Sequence, residues 1–173
     1  MNFMLKGQLR IVGVAIILST GPALAEMPSA IDVSGGTVVL TVHAQGAQIY
    51  ECKPAPSQAG APTWQFREPI ATLFVDGKTI GRHYAGPNWD HIDGTGVKGK
   101  TVANAPGATP DDIPWLKLDV VDHRGNGILS SATTVQRINT RGGMLLGPCE
   151  SAGTFRSVPY SADYVFLRRK NQR

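Results

Sequence analysis

The stretch Pro69-Ile70-Ala71-Thr72-Leu73-Phe74-Val75-Asp76-Gly77-Lys78-Thr79-Ile80-Gly81-Arg82-His83-Tyr84 sets the fold class. Ile70 to Val75 is an apolar run too short for a buried helix and bounded by Pro69 and Asp76-Gly77, which reads as a buried strand. Asp76-Gly77-Lys78 is a turn, because Asp-Gly tolerates the positive φ angles that tight hairpins need. Thr79 to Tyr84 is then the partner strand. A hairpin of this kind, with no amphipathic helix on either side, argues for an antiparallel β domain.

On both sides of this hairpin the same punctuation recurs about every ten residues. Thr37 to His43 alternates, with Val38, Leu40 and Val42 on one face and Thr37, Thr41 and His43 on the other, Val39 being the exception. Ala47 to Cys52 comes after Gly46 and is expected to form a hairpin with that strand. Trp115 to Val121 comes after Pro114, and Asn126-Gly127 marks a turn before a strand from Ser131 to Asn139. Tyr160 to Leu167 closes the series, with Tyr160, Ala162, Tyr164 and Phe166 sharing a face. Thr101 to Pro114 reads as one long connection rich in proline, with room for a helical turn at Thr109-Pro110-Asp111. The expected fold is all-β: one domain, an antiparallel β-sandwich or barrel.

The first residues point to export. Lys6 and Arg10 precede an apolar run from Ile11 to Leu18, then Ser19-Thr20-Gly21-Pro22 and Ala23-Leu24-Ala25. That is the order of a secretory signal peptide over residues 1–25, cleaved after Ala25, leaving the β domain at 26–173. The apolar run is shorter than the roughly 20 residues a bilayer span requires, so no transmembrane anchor is expected after cleavage. The expected location is periplasmic or extracellular, the protein being secreted. Lys6 and Arg10 are the only charges in the signal, so its removal leaves fifteen basic against thirteen acidic residues. With the one basic run, Arg168-Arg169-Lys170, read as a solvated tail, nucleic acid is not an expected partner. Cys52 and Cys149 are the only cysteines. An even pair in an exported chain reads as one disulfide.

Several segments resemble one family. They are Gly46-Ala47-Gln48-Ile49-Tyr50-Glu51-Cys52, Trp64-Gln65-Phe66, Pro69-Ile70-Ala71 and Gly81-Arg82-His83-Tyr84-Ala85-Gly86-Pro87-Asn88-Trp89. Ile113-Pro114-Trp115-Leu116, Gln136-Arg137-Ile138-Asn139-Thr140-Arg141-Gly142-Gly143 and Val158-Pro159-Tyr160-Ser161-Ala162-Asp163-Tyr164 come after them in order. Together they resemble the domain of unknown function 3455 family of exported bacterial proteins and fungal relatives. The resemblance spans nearly the whole mature chain and implies its domain limits. It implies no activity and no site residues.

Candidate chemistry is sparse. Gly94-Thr95-Gly96-Val97-Lys98-Gly99 has the spacing of a dinucleotide fingerprint, but no buried strand precedes it, and Pro106 interrupts the segment on its C-terminal side. It reads as turn and strand, and no cofactor is expected. The densest polar and aromatic cluster is His83 to Asp93. If Gly86-Pro87 closes a two-residue turn, Tyr84 faces Trp89 and His83 faces Asp90; a three-residue loop, Gly86 to Asn88, sets His83 opposite His91. The first register is the expected one, with a His83–Asp90 hydrogen bond, a Tyr84–Trp89 aromatic pair and no metal. Tyr84, Trp89, His83 and Asp90 are the candidate ligand-binding residues. The expected function is a non-enzymatic binding module for a small molecule, glycan or protein partner. The alternative is a metal-dependent or hydrolytic enzyme centred on His83, Asp90 and His91.

Overall fold

A computed structural model describes residues 27–54 and 60–169. The expected signal peptide lies outside the described residues. Eight strands succeed one another in chain order: β1 (Thr37–Lys53), β2 (Thr63–Val75), β3 (Lys78–Tyr84), β4 (Asn88–His91), β5 (Gly96–Ala105), β6 (Trp115–Arg124), β7 (Thr134–Gly142) and β8 (Phe155–Arg168). Each pairs antiparallel with the next, and β8 pairs with β1, closing the sheet into an up-and-down barrel. Every strand therefore has a neighbour on both sides, although β2 meets β3 only from Ala71 to Val75 and β5 meets β4 only from Gly96 to Lys98.

The β2–β3 hairpin turns where expected, but the turn is Asp76-Gly77 alone and Lys78 already begins β3. Val75 stands opposite Lys78, and Asp76 and Gly77 both carry positive φ, 49° and 74°. That is the two-residue turn whose twist matches the strands it joins. The face predicted for β8 is the barrel interior: Tyr160, Ala162, Tyr164 and Phe166 are all buried. The Val39 exception is a bulge, because the β1–β8 register shifts between Val38 and Leu40. Val39 and Leu40 therefore both pack against the core while Val38 is left in solvent.

Two expectations fail. Gly46 is not a turn; β1 runs unbroken for 17 residues through it. Its missing side chain serves a close approach instead, since a Cβ there would fall 2.0 Å from the Ile70 carbonyl oxygen of β2. The long connection is also shorter than expected. Thr101 to Ala105 continues β5, which pairs with β6 as far as Ala105 opposite Trp115, and only residues 106–114 form the loop. Thr109 to Asp112 is a turn rather than a helix, closed by Asp112 N–H on Thr109 O at 3.1 Å.

The barrel's two ends differ. At one, a 3-10 turn (Ile128–Ser131) inserts Leu129, 1 % exposed, among Val42, Leu73, Val97, Leu118, Val135 and Phe166. Asp93 fastens this plug, accepting the Ile128 N–H at 2.8 Å and the Thr95 N–H at 2.9 Å. At the other end lie the connections 85–87, 106–114 and 143–154. Outside the wall, Trp115 is buried under Ile31 of a second 3-10 turn (Ser29–Ile31), and Gln136 Nε2 donates to Ile31 O at 2.7 Å. Outward positions include charged residues such as Arg82, Asp90, Asp119 and Arg124 beside exposed Ile70 and Val121, while the core cluster is apolar. Among the described residues no helix is long and apolar enough to cross a membrane.

The disulfide is Cys52–Cys149, with Cα atoms 5.9 Å apart. It joins the end of β1 to the β7–β8 loop beside the open end. Gly153 N–H on Cys52 O and Cys149 N–H on Pro62 O reinforce the junction, at 2.8 and 2.9 Å.

Candidate functional site

The strand lengths explain why one end stays open. β1, β2 and β8 have 17, 13 and 14 residues, whereas β3 and β4 have 7 and 4. The wall is tall on one side and low on the other, and two loops lean over the gap. These loops are bonded to one another: Ile113 N–H donates to Gly142 O at 2.9 Å and Met144 N–H to Asp111 O at 3.1 Å. Asp112 secures the junction, accepting the Gly142 N–H at 2.6 Å and the Thr109 N–H and hydroxyl at 3.0 and 2.8 Å. The Gly142 bond, ahead of the Thr109 bonds, holds the Asp112 carboxyl below the usual carboxylate range despite its burial. Tyr50 reaches up from β1, donating to Gly143 O at 2.7 Å and accepting the Leu145 N–H at 3.3 Å.

Beneath this rim lies a cavity of about 460 Å³. Its walls are mainly apolar, from Phe66, Ile113, Leu116, Met144 and Leu146. Gln48, Tyr50, His83, Arg137 and Tyr164 supply the polar groups. Arg137 sits two residues beyond the core residue Val135, opposite Tyr164 on β8 and Leu116 on β6, and so faces inward. Its Nε and Nη2 both donate to the Pro114 carbonyl, at 3.0 and 2.8 Å, which fixes the guanidinium against the rim loop. Burial raises the Tyr50, Tyr160 and Tyr164 phenols above their ordinary value, and the Arg137 charge pulls each partly back.

The sequence-predicted residues divide between the two faces of the wall. In the β3–β4 hairpin the loop is Ala85-Gly86-Pro87, with Asn88 already in the strand opposite Tyr84. The Asn88 side chain closes the loop on Ala85 O at 2.6 Å. His83 therefore stands opposite Trp89 and Arg82 opposite Asp90, which corrects the expected pairs. His83 and Trp89 face the cavity, stacked with ring centroids 4.5 Å apart and planes 10° from parallel. Tyr164 meets Trp89 edge-on at 5.3 Å. Tyr84 and Asp90 lie on the outer face, where Asp90 bonds Arg82, Arg124 and Tyr84. There is no His83–Asp90 hydrogen bond and no Tyr84–Trp89 pair.

His83 is held neutral. Burial lowers its pKa to about 3, assisted by the Arg137 charge, although the bond to Asn88 works the other way. Because Asn88 O only accepts, at 2.8 Å, the ring proton is on Nδ1 and Nε2 keeps a lone pair. The trio of the alternative enzyme does not converge. His83 lies in the cavity wall, Asp90 on the outer face, and His91 near the closed end with Nδ1 2.9 Å from Asp93. Among the described residues no three His, Cys, Asp or Glu side chains gather at ligand spacing. The G-x-G-x-x-G string is turn and β5 strand, with Gly99 packed over Trp89.

Sequence reasoning misses Gln48 and Arg137. The signal for Gln48 is the period of two from Val42 through Ala44, which is lost once Gly46 is read as a turn. For Arg137 it is the same period counted from Val135. Comparison with curated proteins finds no match, and comparison with solved structures finds none either. Residues 33–168 match the family described as "Protein of unknown function (DUF3455)", and the chain belongs to that family.

Proposed function

We propose that this protein binds a small, mainly apolar molecule in the barrel cavity, as a binding module rather than an enzyme. The cavity carries the reading: about 460 Å³ lies within the roughly 300–1,000 Å³ of small-ligand sites. An eight-stranded barrel is narrow enough to be filled by its own side chains, so retained space at one end is a specific feature. The bonded rim supports the reading further, because a mouth held by Asp112 and Tyr50 needs little ordering on binding. Of the four candidate residues, His83 and Trp89 belong to this site; Tyr84 and Asp90 support the hairpin from outside. A glycan stacked on Tyr84 and Trp89 together loses its basis, since those rings are on opposite faces.

The test is a titration with N-phenyl-1-naphthylamine, an uncharged dye that brightens in apolar sites. One saturable site is expected on the wild-type protein, weakened in Leu116→Trp, whose larger ring takes up part of the cavity. Absence of saturable binding, or full binding by Leu116→Trp, would refute the proposal.

A further inference from the structure

We infer that the molecule bound in the cavity is an amphipathic monoanion, its single carboxylate or sulfonate held by Arg137 and its apolar body against Leu116, Met144 and Leu146. The inference rests on the cavity-binding reading and adds the charge of the ligand. Two independent observations carry it.

The first is an uncompensated cation. Arg137 directs Nε and Nη2 at one carbonyl, Pro114 O, and that neutral group cannot balance its charge. No residue lining the cavity is acidic, and among the described residues no carboxylate lies within 4 Å of the guanidinium. The other arginine of the lining, Arg67, is at the mouth, near Glu68 and over the Phe155 ring. A guanidinium set into an apolar wall without a counter-charge is costly unless something supplies one. Its remaining N–H groups form the fork that suits a planar or tetrahedral oxyanion.

The second is the character of the remaining wall. Apart from Arg137 and Arg67 the lining is uncharged and mainly apolar, from Phe66, Ile113, Leu116, Met144 and Leu146, so the body of the ligand is apolar. One positive charge fits a monoanion. His83, being neutral, adds no second charge.

Two dyes with one body test this: 8-anilino-1-naphthalenesulfonate carries the anion, and N-phenyl-1-naphthylamine is the same skeleton without it. The sulfonate should displace the neutral dye from a single site and bind about 10- to 100-fold more tightly, the worth of a charge-assisted contact. Arg137→Gln should bind both dyes with the neutral dye's affinity, and Arg137→Lys should keep part of the preference. If Arg137→Gln does not fold, wild-type selectivity and the Arg137→Lys titration decide. Equal affinity for the two dyes, or a preference that survives Arg137→Gln, would overturn the inference and leave cavity binding standing. Binding of neither dye would overturn cavity binding itself.

Discussion

Removing the Cys52–Cys149 bridge should be the most damaging covalent change available to this barrel. The cysteines are 97 positions apart, so the bond closes a loop covering most of the folded chain. Taking the unfolded-state entropy lost as about 2.1 plus 1.5R ln n cal/mol/K, the bridge contributes about 4.7 kcal/mol at 25 °C. At roughly 3 °C per kcal/mol for a domain of this size, the melting temperature should fall by about 10–15 °C. Urea unfolding followed by tryptophan fluorescence would compare the oxidised protein with Cys52→Ala/Cys149→Ala. Cys52 is fully buried, so the double variant also loses packing. Reduced wild-type protein, which keeps both sulfurs, isolates the cross-link itself. A loss below about 1 kcal/mol on reduction would refute the entropic reasoning, showing that the unfolded chain already holds these segments together.

The plug and the core respond to single changes. Leu129→Ala should cost about 2–5 kcal/mol in urea unfolding, yet leave dye affinity unchanged because the cavity is at the opposite end. Gly46→Ala should leave little soluble protein, since its Cβ would fall 2.0 Å from a backbone oxygen; a normal yield of folded protein would contradict the close approach. His83 has a folded pKa near 3, below its unfolded value of about 6.5. It therefore favours folding above pH 6.5, and stability should fall by up to about 1.4 kcal/mol per unit as pH drops from there towards 3. Its ring resonances should not titrate between pH 5 and 8 by NMR. The Ile128 N–H, then the Thr95 hydroxyl and N–H, hold Asp93 well below the usual carboxylate range. Its contribution is complete above about pH 4 and fades as pH falls further, so Asp93→Asn should flatten the acid limb of the stability curve.

The parts of the fold legible in the sequence are those that local chemistry alone decides. Asp76-Gly77 specifies its hairpin because the two residues themselves tolerate positive φ. The face of β8 is legible because period-two alternation sorts residues in any half-buried strand. Gly46 misleads because glycine signals both a turn and a close backbone approach, and the neighbour that distinguishes them, Ile70, lies on another strand. Thr101 to Ala105 misleads for a related reason. Ala103, Asn104 and Ala105 have weak strand preference and Pro106 follows them, and pairing with Trp115 to Leu118 of β6 supplies the order they lack.

Half of the site is legible in the sequence, and the missing half turns on the position of one residue. Ala85 reads as the last strand residue before a two-residue turn at Gly86-Pro87, but here it belongs to the loop, and that shift changes which side chains share a face. His83 and Trp89 thereby reach the cavity while Tyr84 and Asp90 leave it. No local argument supplies the remaining polar residues. Gln48, His83 and Arg137 come from β1, β3 and β7, and they share a cavity only because β8 closes onto β1. The closed end shows what this barrel does when it is simply filled: Val42, Leu73, Leu129 and Phe166 pack without a polar atom among their side chains. A leucine at position 137 would continue that packing and remove a half-buried charge, a kind of replacement that is often neutral or stabilising. The arginine is therefore best explained by something the barrel receives rather than by the barrel itself, and Arg137→Leu separates the two. It should keep or raise the urea midpoint while removing the preference for the anionic dye; a large loss of stability would instead make Arg137 a structural tie to the Pro114 loop.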